Sequence, residues 1–216
     1  MKGIRLRHLG VAAITLVFTL ITYAFLYSLH PWLQWGWWSA IGGNGSILFL
    51  SNDNLSAATQ DVAGAVVPAA QDGLGLLDVV FTLVFLLFLG FLLYIFPKAA
   101  HSEEVTYRKG AEHRSFLANL WKALVFGLIH LLMGIPIAAA LALTVSGLAF
   151  TLVYLRAYNR AWRMGYKSQG FSRIAYGLRR EHAENEGVME AARVHFLHNA
   201  IIVLVLMVLV ASSLIL

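Results

Sequence analysis

Two adjacent carboxylates, Glu103 and Glu104, lie at the edge of an apolar stretch in the run Glu-Glu-Val-Thr-Tyr-Arg. Charged side chains near lipid are costly, so an acidic pair there marks a candidate functional site. Successive residues of a helix point about 100° apart, which gives the two carboxylates different surroundings. Glu104 lies four residues before Arg108, the spacing at which a carboxylate and a guanidinium meet on one helix face. The spacing predicts a Glu104–Arg108 ion pair and leaves Glu103, beside Tyr107, as a candidate general base in a low-dielectric pocket.

Two later pairs of residues place imidazole and amide groups on apolar segments. Phe126 and His130 are four residues apart within Leu-Val-Phe-Gly-Leu-Ile-His-Leu-Leu-Met. His195 and Asn199 are also four apart, where the last apolar run begins. A carboxylate, two imidazoles and an amide can together activate a water molecule and stabilise an oxyanion. We therefore predict that the two imidazoles, the amide and Glu103 line one cavity.

These three motifs, E-E-x-x-x-R, F-x-x-x-H and H-x-x-x-N, occur in that order on apolar segments between about residues 80 and 216. Together they resemble the CAAX-protease and bacteriocin-processing (CPBP) family, also called the abortive-infection family. Some members of that family are glutamic intramembrane proteases. The resemblance implies a helical membrane protein that hydrolyses a peptide bond of a membrane-associated protein or peptide.

The resemblance also implies a role for each motif residue. Glu103, aided by His130, would take a proton from a water molecule that attacks a peptide carbonyl. His195 and Asn199 would donate hydrogen bonds to the tetrahedral oxyanion. Residue type alone does not show which of the two glutamates is the general base. The Glu104–Arg108 spacing and the family pattern both favour Glu103. Glu104 belongs to the same catalytic set, and its structural support comes from Arg108, Tyr107 and Phe126.

Three features differ from the family pattern. The family sequence continues E-E-x-x-F-R-G, whereas here Tyr107 replaces the phenylalanine and Lys109 separates Arg108 from Gly110. A long charged segment, 157–194, lies between the second and third motifs. About five membrane crossings are fewer than the family's usual core. The differences bear on substrate access, and they leave open a non-catalytic homologue that acts as a membrane subunit, assembly factor or immunity protein.

Composition excludes an ordinary soluble domain, because 59% of the 216 residues are hydrophobic and the mean hydropathy is +0.72. The absence of cysteine excludes disulfides, a thiolate metal site and a cysteine nucleophile. The net charge of +5 comes from basic segments at 2–7, 98–122 and 156–193. That distribution follows the positive-inside rule and not a nucleic-acid-binding patch. It predicts a cytoplasmic N-terminus in a bacterial-type inner membrane, with lipids as partners and no nucleic acid.

The order of apolar runs predicts an all-α, polytopic membrane bundle of about five transmembrane helices plus a cytoplasmic amphipathic segment. The long run 124–155 exceeds one crossing, and Gly134-Ile135-Pro136 is the predicted break. An external loop covers 39–74 after a tryptophan cluster. The predicted spans are 9–29, 76–96 (closed by Pro97), two within 124–155, and 194–216. Two parts follow: an N-terminal helix and loop over 1–74, and a CPBP-like core over 75–216 with the cytoplasmic insertion 157–194.

Other interpretations remain at this stage. The basic start fits a signal peptide, but the apolar run after it is long for one, which favours an uncleaved helix. The G-x-S-x-G signature of serine hydrolases and a second intramembrane aspartate are absent, and so is the H-E-x-x-H spacing. We predict no metal or other cofactor, although other membrane subunits or a role as a pigment-, lipid- or quinone-contacting accessory protein stay open. A zinc site would have to draw on His101, Glu103, His113, His130, His195 and His198.

Overall fold

The structure is a computed structural model that describes residues 3–36, 76–166 and 173–212. In these ranges the regular structure is entirely helical, and five helices are long and apolar enough to cross a membrane. The predicted all-α membrane bundle is confirmed. The helices are α1 (Leu6–Leu29), α2 (Leu76–Tyr107), α3 (Phe116–Ile129), α4 (Ile137–Tyr166) and α5 (Arg173–Ser212), with short 3-10 turns at Pro31–Gln34, Ala111–His113 and His130–Met133.

Helices α4 and α5 form the centre of the bundle. Helix α4 packs against α1, α3 and α5, while α5 also packs against α1 and α2. Small residues allow close approach: a side chain at Gly127 of α3 would overlap the carbonyl oxygen of Ala140 on α4. The outer faces of α1 and α2 expose large apolar side chains such as Phe25 and Leu87, as expected for helices that contact lipid.

The break between the third and fourth spans lies where the sequence predicts it. Helix α3 ends at Ile129, and α4 begins at Ile137 after a 3-10 turn. Gly134 has φ of 85°, a left-handed conformation that glycine adopts without strain. Helix α3 starts at residue 116, eight residues earlier than predicted, because Ser115 caps it by accepting a hydrogen bond from the backbone N–H of Ala118 (3.2 Å).

The predicted end of the second span at Pro97 is wrong. Helix α2 continues through Pro97 to Tyr107 and therefore includes both carboxylates of the first motif. A proline removes one backbone donor, but packing beyond it can hold the helix together. Here Ala100 and Glu104 are both buried, and α2 packs along α5.

The described parts of the charged segment 157–194 are helical, and they belong to α4 and α5 and not to a separate helix pair. Residues 157–166 complete α4, and 173–194 form the first half of α5, which continues unbroken to Ser212. Gly187 does not interrupt α5, since the ring of Tyr154 packs where a Cβ would lie, 2.8 Å away. The external loop 39–74 and the tryptophans at 37 and 38 lie outside the described residues.

The three basic segments meet at one end of the bundle. Glu190 of α5 lies 3.0 Å from Arg7 of α1 and 3.9 Å from Arg160 of α4. Lys109, just after α2, lies 3.7 Å from Glu184 of α5. A common end for these segments agrees with the positive-inside distribution, while the cytoplasmic position of that end stays a prediction.

Labelling of single cysteines tests the orientation, and the natural absence of cysteine makes every position usable. We expect a maleimide added to the cytoplasmic side to modify Glu181→Cys, which lies on the exposed basic end of α5, and to spare Gln60→Cys in the predicted external loop. Labelling of position 60 from the cytoplasmic side alone would show that the orientation is reversed.

A second prediction concerns the contact between α3 and α4. Gly127→Ala should lower the free energy of unfolding by about 1–3 kcal/mol, because the new methyl group forces the two helices apart. Gly90→Ala is the matched control, since a Cβ at position 90 would meet no atom within 4 Å. Thermal unfolding in detergent measures both variants, and equal stabilities would contradict the close contact at Gly127.

Candidate active site

The ring of Phe126, buried on α3, is the point at which the three motifs meet. Its centroid lies 5.5 Å from that of Tyr107 on α2, 5.0 Å from that of His130 and 5.5 Å from that of His195 on α5. The guanidinium carbon of Arg108 lies 4.2 Å from the same centroid. The structure therefore gathers residues of E-E-x-x-x-R, F-x-x-x-H and H-x-x-x-N around one aromatic side chain.

The ion pair predicted between Glu104 and Arg108 is present. Arg108 Nε lies 3.4 Å from Glu104 Oε2, and both side chains are almost completely buried. Arg108 also donates from Nη2 to the carbonyl oxygen of Gly147 on α4 (3.3 Å). Its position over Phe126 adds a cation–π contact in a buried site, where such contacts are strongest. The guanidinium thus fixes Glu104 relative to both α3 and α4.

His195 lies between the two carboxylates of the first motif. Its Nδ1 is 2.9 Å from Glu104 Oε1, and its Nε2 is 3.7 Å from Glu103 Oε2. The imidazole also stacks on Phe150, with centroids 4.6 Å apart. An ionised carboxylate only accepts hydrogen bonds, so Glu104 beside Arg108 fixes a proton on Nδ1. Nε2 then faces Glu103.

His130 has a defined tautomer as well. Its Nδ1 lies 2.7 Å from the carbonyl oxygen of Phe126 one turn earlier. Because a carbonyl oxygen accepts and never donates, Nδ1 carries the proton and Nε2 of the neutral ring keeps its lone pair. His130 is half-buried at the point where α3 becomes a 3-10 turn, so it lies at a helix end and not in the middle of a straight span.

The site residues form a buried layer and an accessible layer. Glu104, Arg108 and His195 are almost fully buried, whereas Glu103 keeps 34% of its side chain exposed. Asn199 is half-buried one turn after His195 on α5. Within the described residues no hydrogen bond involves its side chain. The structure brings Glu103 to His195 directly and His130 to the same cluster through Phe126, while a shared cavity with Asn199 stays a prediction.

A buried polar network next to this cluster was not expected from the sequence. His198 lies 3.5 Å from Ser146 of α4, and Ser146 lies 2.7 Å from Thr19 of α1. The ring of His198 also meets the edge of Phe150, which stacks on His195. The sequence treats His198 as one more interfacial polar residue. Its spacing of three from His195, which places both on one helix face, was the available signal.

One group of histidine and acidic side chains in the described ranges has ligand atoms close enough to share a metal ion. Glu112, His113 and Glu184 offer atoms that all lie within 4.8 Å of one another. Of the zinc ligands considered from the sequence, only His113 belongs to this group. The protease motifs contribute none of its members.

No family model, curated protein or solved structure matches this chain. The likeness to the CPBP family therefore rests on the three motifs alone.

The buried ion pair gives a stability prediction. Arg108→Ala leaves Glu104 without its guanidinium in a site shielded from water, which should cost about 3–5 kcal/mol of unfolding free energy. Lys109→Ala, at an exposed neighbouring cation, is the control and should change stability by less than about 1 kcal/mol. Thermal unfolding and the yield of monodisperse protein report the difference. The double variant Glu104→Gln with Arg108→Met should recover part of the loss, and a double variant no better than Arg108→Ala would argue against the pair.

Proposed function

We propose that this chain is an intramembrane glutamic-type endopeptidase that hydrolyses a peptide bond of a membrane-associated protein or peptide. The observation that carries the proposal is the position of His195, which lies between a buried carboxylate, Glu104, and a partly exposed one, Glu103. Ionisable groups arranged in this way at membrane depth have functional roles by default. The three-motif resemblance to the CPBP family agrees with the same reaction.

In this proposal Glu103 is the general base. A third of its side chain is exposed, so a water molecule can approach it, although Oε2, which faces His195, is buried. The lone pair of His130 Nε2 supplies a second acceptor on the neighbouring helix. The water oxygen attacks the peptide carbonyl carbon while one of its protons moves to Glu103. Collapse of the tetrahedral intermediate breaks the C–N bond and returns that proton to the leaving amine. The products are a carboxylic acid and an amine, and no co-reactant besides water is needed.

The oxyanion of the intermediate is stabilised by hydrogen-bond donors on α5. His195 Nε2 lies 3.7 Å from Glu103 Oε2, close to where the activated water molecule attacks. When it is protonated, Nε2 can donate a hydrogen bond to the oxyanion that forms on the attacked carbon. The amide of Asn199, one turn further, is the second donor. Donors fixed on a helix cost little reorganisation during the reaction.

Glu104 and Arg108 position the reacting groups and do not touch the substrate, because both are buried. Glu104 holds the His195 ring through Nδ1, and this leaves Nε2 directed at the reacting atoms. The site lies near the end of the bundle where the basic segments gather, and this supports cleavage near the cytoplasmic leaflet of a bacterial-type inner membrane. Substrates would therefore be peptides that reach the membrane surface from the cytoplasm.

A non-catalytic membrane subunit, assembly factor or immunity protein is the second candidate. Two observations favour it: His130 already has a backbone partner in Phe126, and four of the motif side chains are shielded from solvent. In that case the same groups would form a polar network that fixes helix packing. The two functions predict different behaviour for Glu103, the least buried motif carboxylate.

The test compares Glu103→Gln with wild type in a peptide-library cleavage assay in detergent. The amide preserves the shape of the side chain but cannot take a proton, so cleavage should fall by about 10²–10⁴-fold with nearly unchanged thermal stability. Asn199→Ala should lower the rate by about 10²–10³-fold through the loss of one oxyanion donor. The exposed carboxamide variant Glu181→Gln is the matched control and should cleave like wild type.

The scaffold function predicts the reverse pattern. Wild-type protein would cleave no peptide, and Glu103→Gln would be less stable because a member of a polar network has been replaced. Cleavage that survives Glu103→Gln at the wild-type rate would remove Glu103 from the role of base.

A further inference from the structure

A second cluster of ionisable groups lies beyond the end of α2, outside the candidate active site. Glu112 and His113 belong to the 3-10 turn Ala111–His113, and Glu184 lies on α5. Glu112 Oε1 and His113 Nε2 are 3.3 Å apart, and the ligand atoms of all three residues lie within 4.8 Å of one another. The 3-10 turn therefore holds the side chains of the adjacent residues Glu112 and His113 close together, next to Glu184.

The separation of these two atoms matches a metal site better than a hydrogen bond. Glu112 Oε1 is buried and accepts no hydrogen bond, even though His113 Nε2 is nearby. Tetrahedral zinc with bonds of about 2.0–2.1 Å to nitrogen and oxygen separates its ligand atoms by about 3.3 Å. Two ligand atoms at that distance, neither bonded to the other, can both direct a lone pair at a third atom.

The surroundings of Glu112 are those of a supported metal ligand. Its side chain is only 7% exposed, which is costly for a carboxylate oxygen that accepts no hydrogen bond. Tyr154 of α4 donates its hydroxyl to the other carboxylate oxygen of Glu112 (2.8 Å), and the N–H of Gly110 donates to the Tyr154 oxygen (3.2 Å). Such outer hydrogen bonds orient ligating carboxylates in metal proteins. They leave Oε1 of Glu112 directed at the shared point.

The charges at the cluster also fit a divalent cation. Two carboxylates balance one ion of charge +2, and a neutral imidazole completes three protein ligands. The cations that now pair with Glu184, Lys109 at 3.7 Å and Arg180 at 2.7 Å, are 42% and 45% exposed and can turn to solvent. The His113 side chain is 51% exposed, so water reaches the fourth position.

We propose that Glu112, His113 and Glu184 bind one Zn²⁺-type divalent ion, with a water molecule in the fourth position. One imidazole nitrogen and two carboxylates suit zinc and other divalent first-row transition metals. Magnesium and calcium prefer a larger number of oxygen ligands. The ion would tie the turn that follows Arg108 to α5, the helix that carries His195. The proposal does not depend on peptidase activity, because the site shares no residue with the catalytic cluster.

The test uses the tag-free, metal-stripped full-length protein in detergent. Competition against a chromophoric chelator measures Zn²⁺ affinity, and Co²⁺ reports geometry through its visible absorption. We expect one Zn²⁺ per chain and a tetrahedral Co²⁺ spectrum for wild type, with both lost in Glu112→Gln and His113→Asn. Tyr154→Phe, which keeps the ligands but removes the outer hydrogen bond, should weaken binding by about 10–100-fold.

The control variant is His101→Asn, the same chemical change at another exposed histidine, on α2. It should bind like wild type. His113→Asn is a surface change and decides the test if Glu112→Gln fails to fold. Zn²⁺ binding that persists in His113→Asn, or that is lost equally in His101→Asn, would show that the ion binds elsewhere and would overturn the proposal. Wild-type protein that binds no Zn²⁺ would also overturn it.

Discussion

The constraint on which the rest of the structure depends is the complete burial of the Glu104 carboxylate. A buried carboxylate is costly unless nearby groups offset its charge. Arg108 supplies the charge from the same helix, and His195 supplies a hydrogen bond from α5. Phe126 then covers the guanidinium from α3. One buried charge therefore requires three helices to meet at a fixed distance and in a fixed rotation.

That requirement explains features of the bundle that are otherwise unrelated. Helix α2 has to continue past Pro97, because Glu104 lies more than a turn beyond the proline and would not reach α5 if the helix ended there. A Cβ at Gly147 would lie only 3.1 Å from Phe126 and Ala123, and the Gly147 carbonyl accepts from Arg108, so this position favours glycine. The close packing of α3 on α4 at Gly127 brings Phe126 to the same level. Backbone geometry on four helices thus follows from one ion pair.

The sequence predicted what depends on local spacing and missed what depends on long-range contact. Glu104 and Arg108 are four residues apart on one helix, so their pairing could be predicted, and the break near Pro136 follows from the chemistry of glycine and proline. The continuation of α2 past Pro97 could not, because it depends on burial against α5. Equally, nothing local shows that His113 lies near Glu184, 71 positions away, or that His198 meets Ser146. Local patterns fix helix faces, and only tertiary packing decides which faces meet.

The division between buried and accessible side chains bears on how such a site could do chemistry. A base and a proton donor must change protonation state during a reaction, and charges that change need water or substrate nearby. Glu103 and His130 have that access, whereas Glu104 and Arg108 do not. His195 joins the two layers, because one of its ring nitrogens is committed to Glu104 and the other faces Glu103. Nε2 can donate to an oxyanion formed from water that Glu103 has activated only while these two side chains stay close. The separation between these two side chains is therefore the geometric quantity on which any catalysis at this site depends.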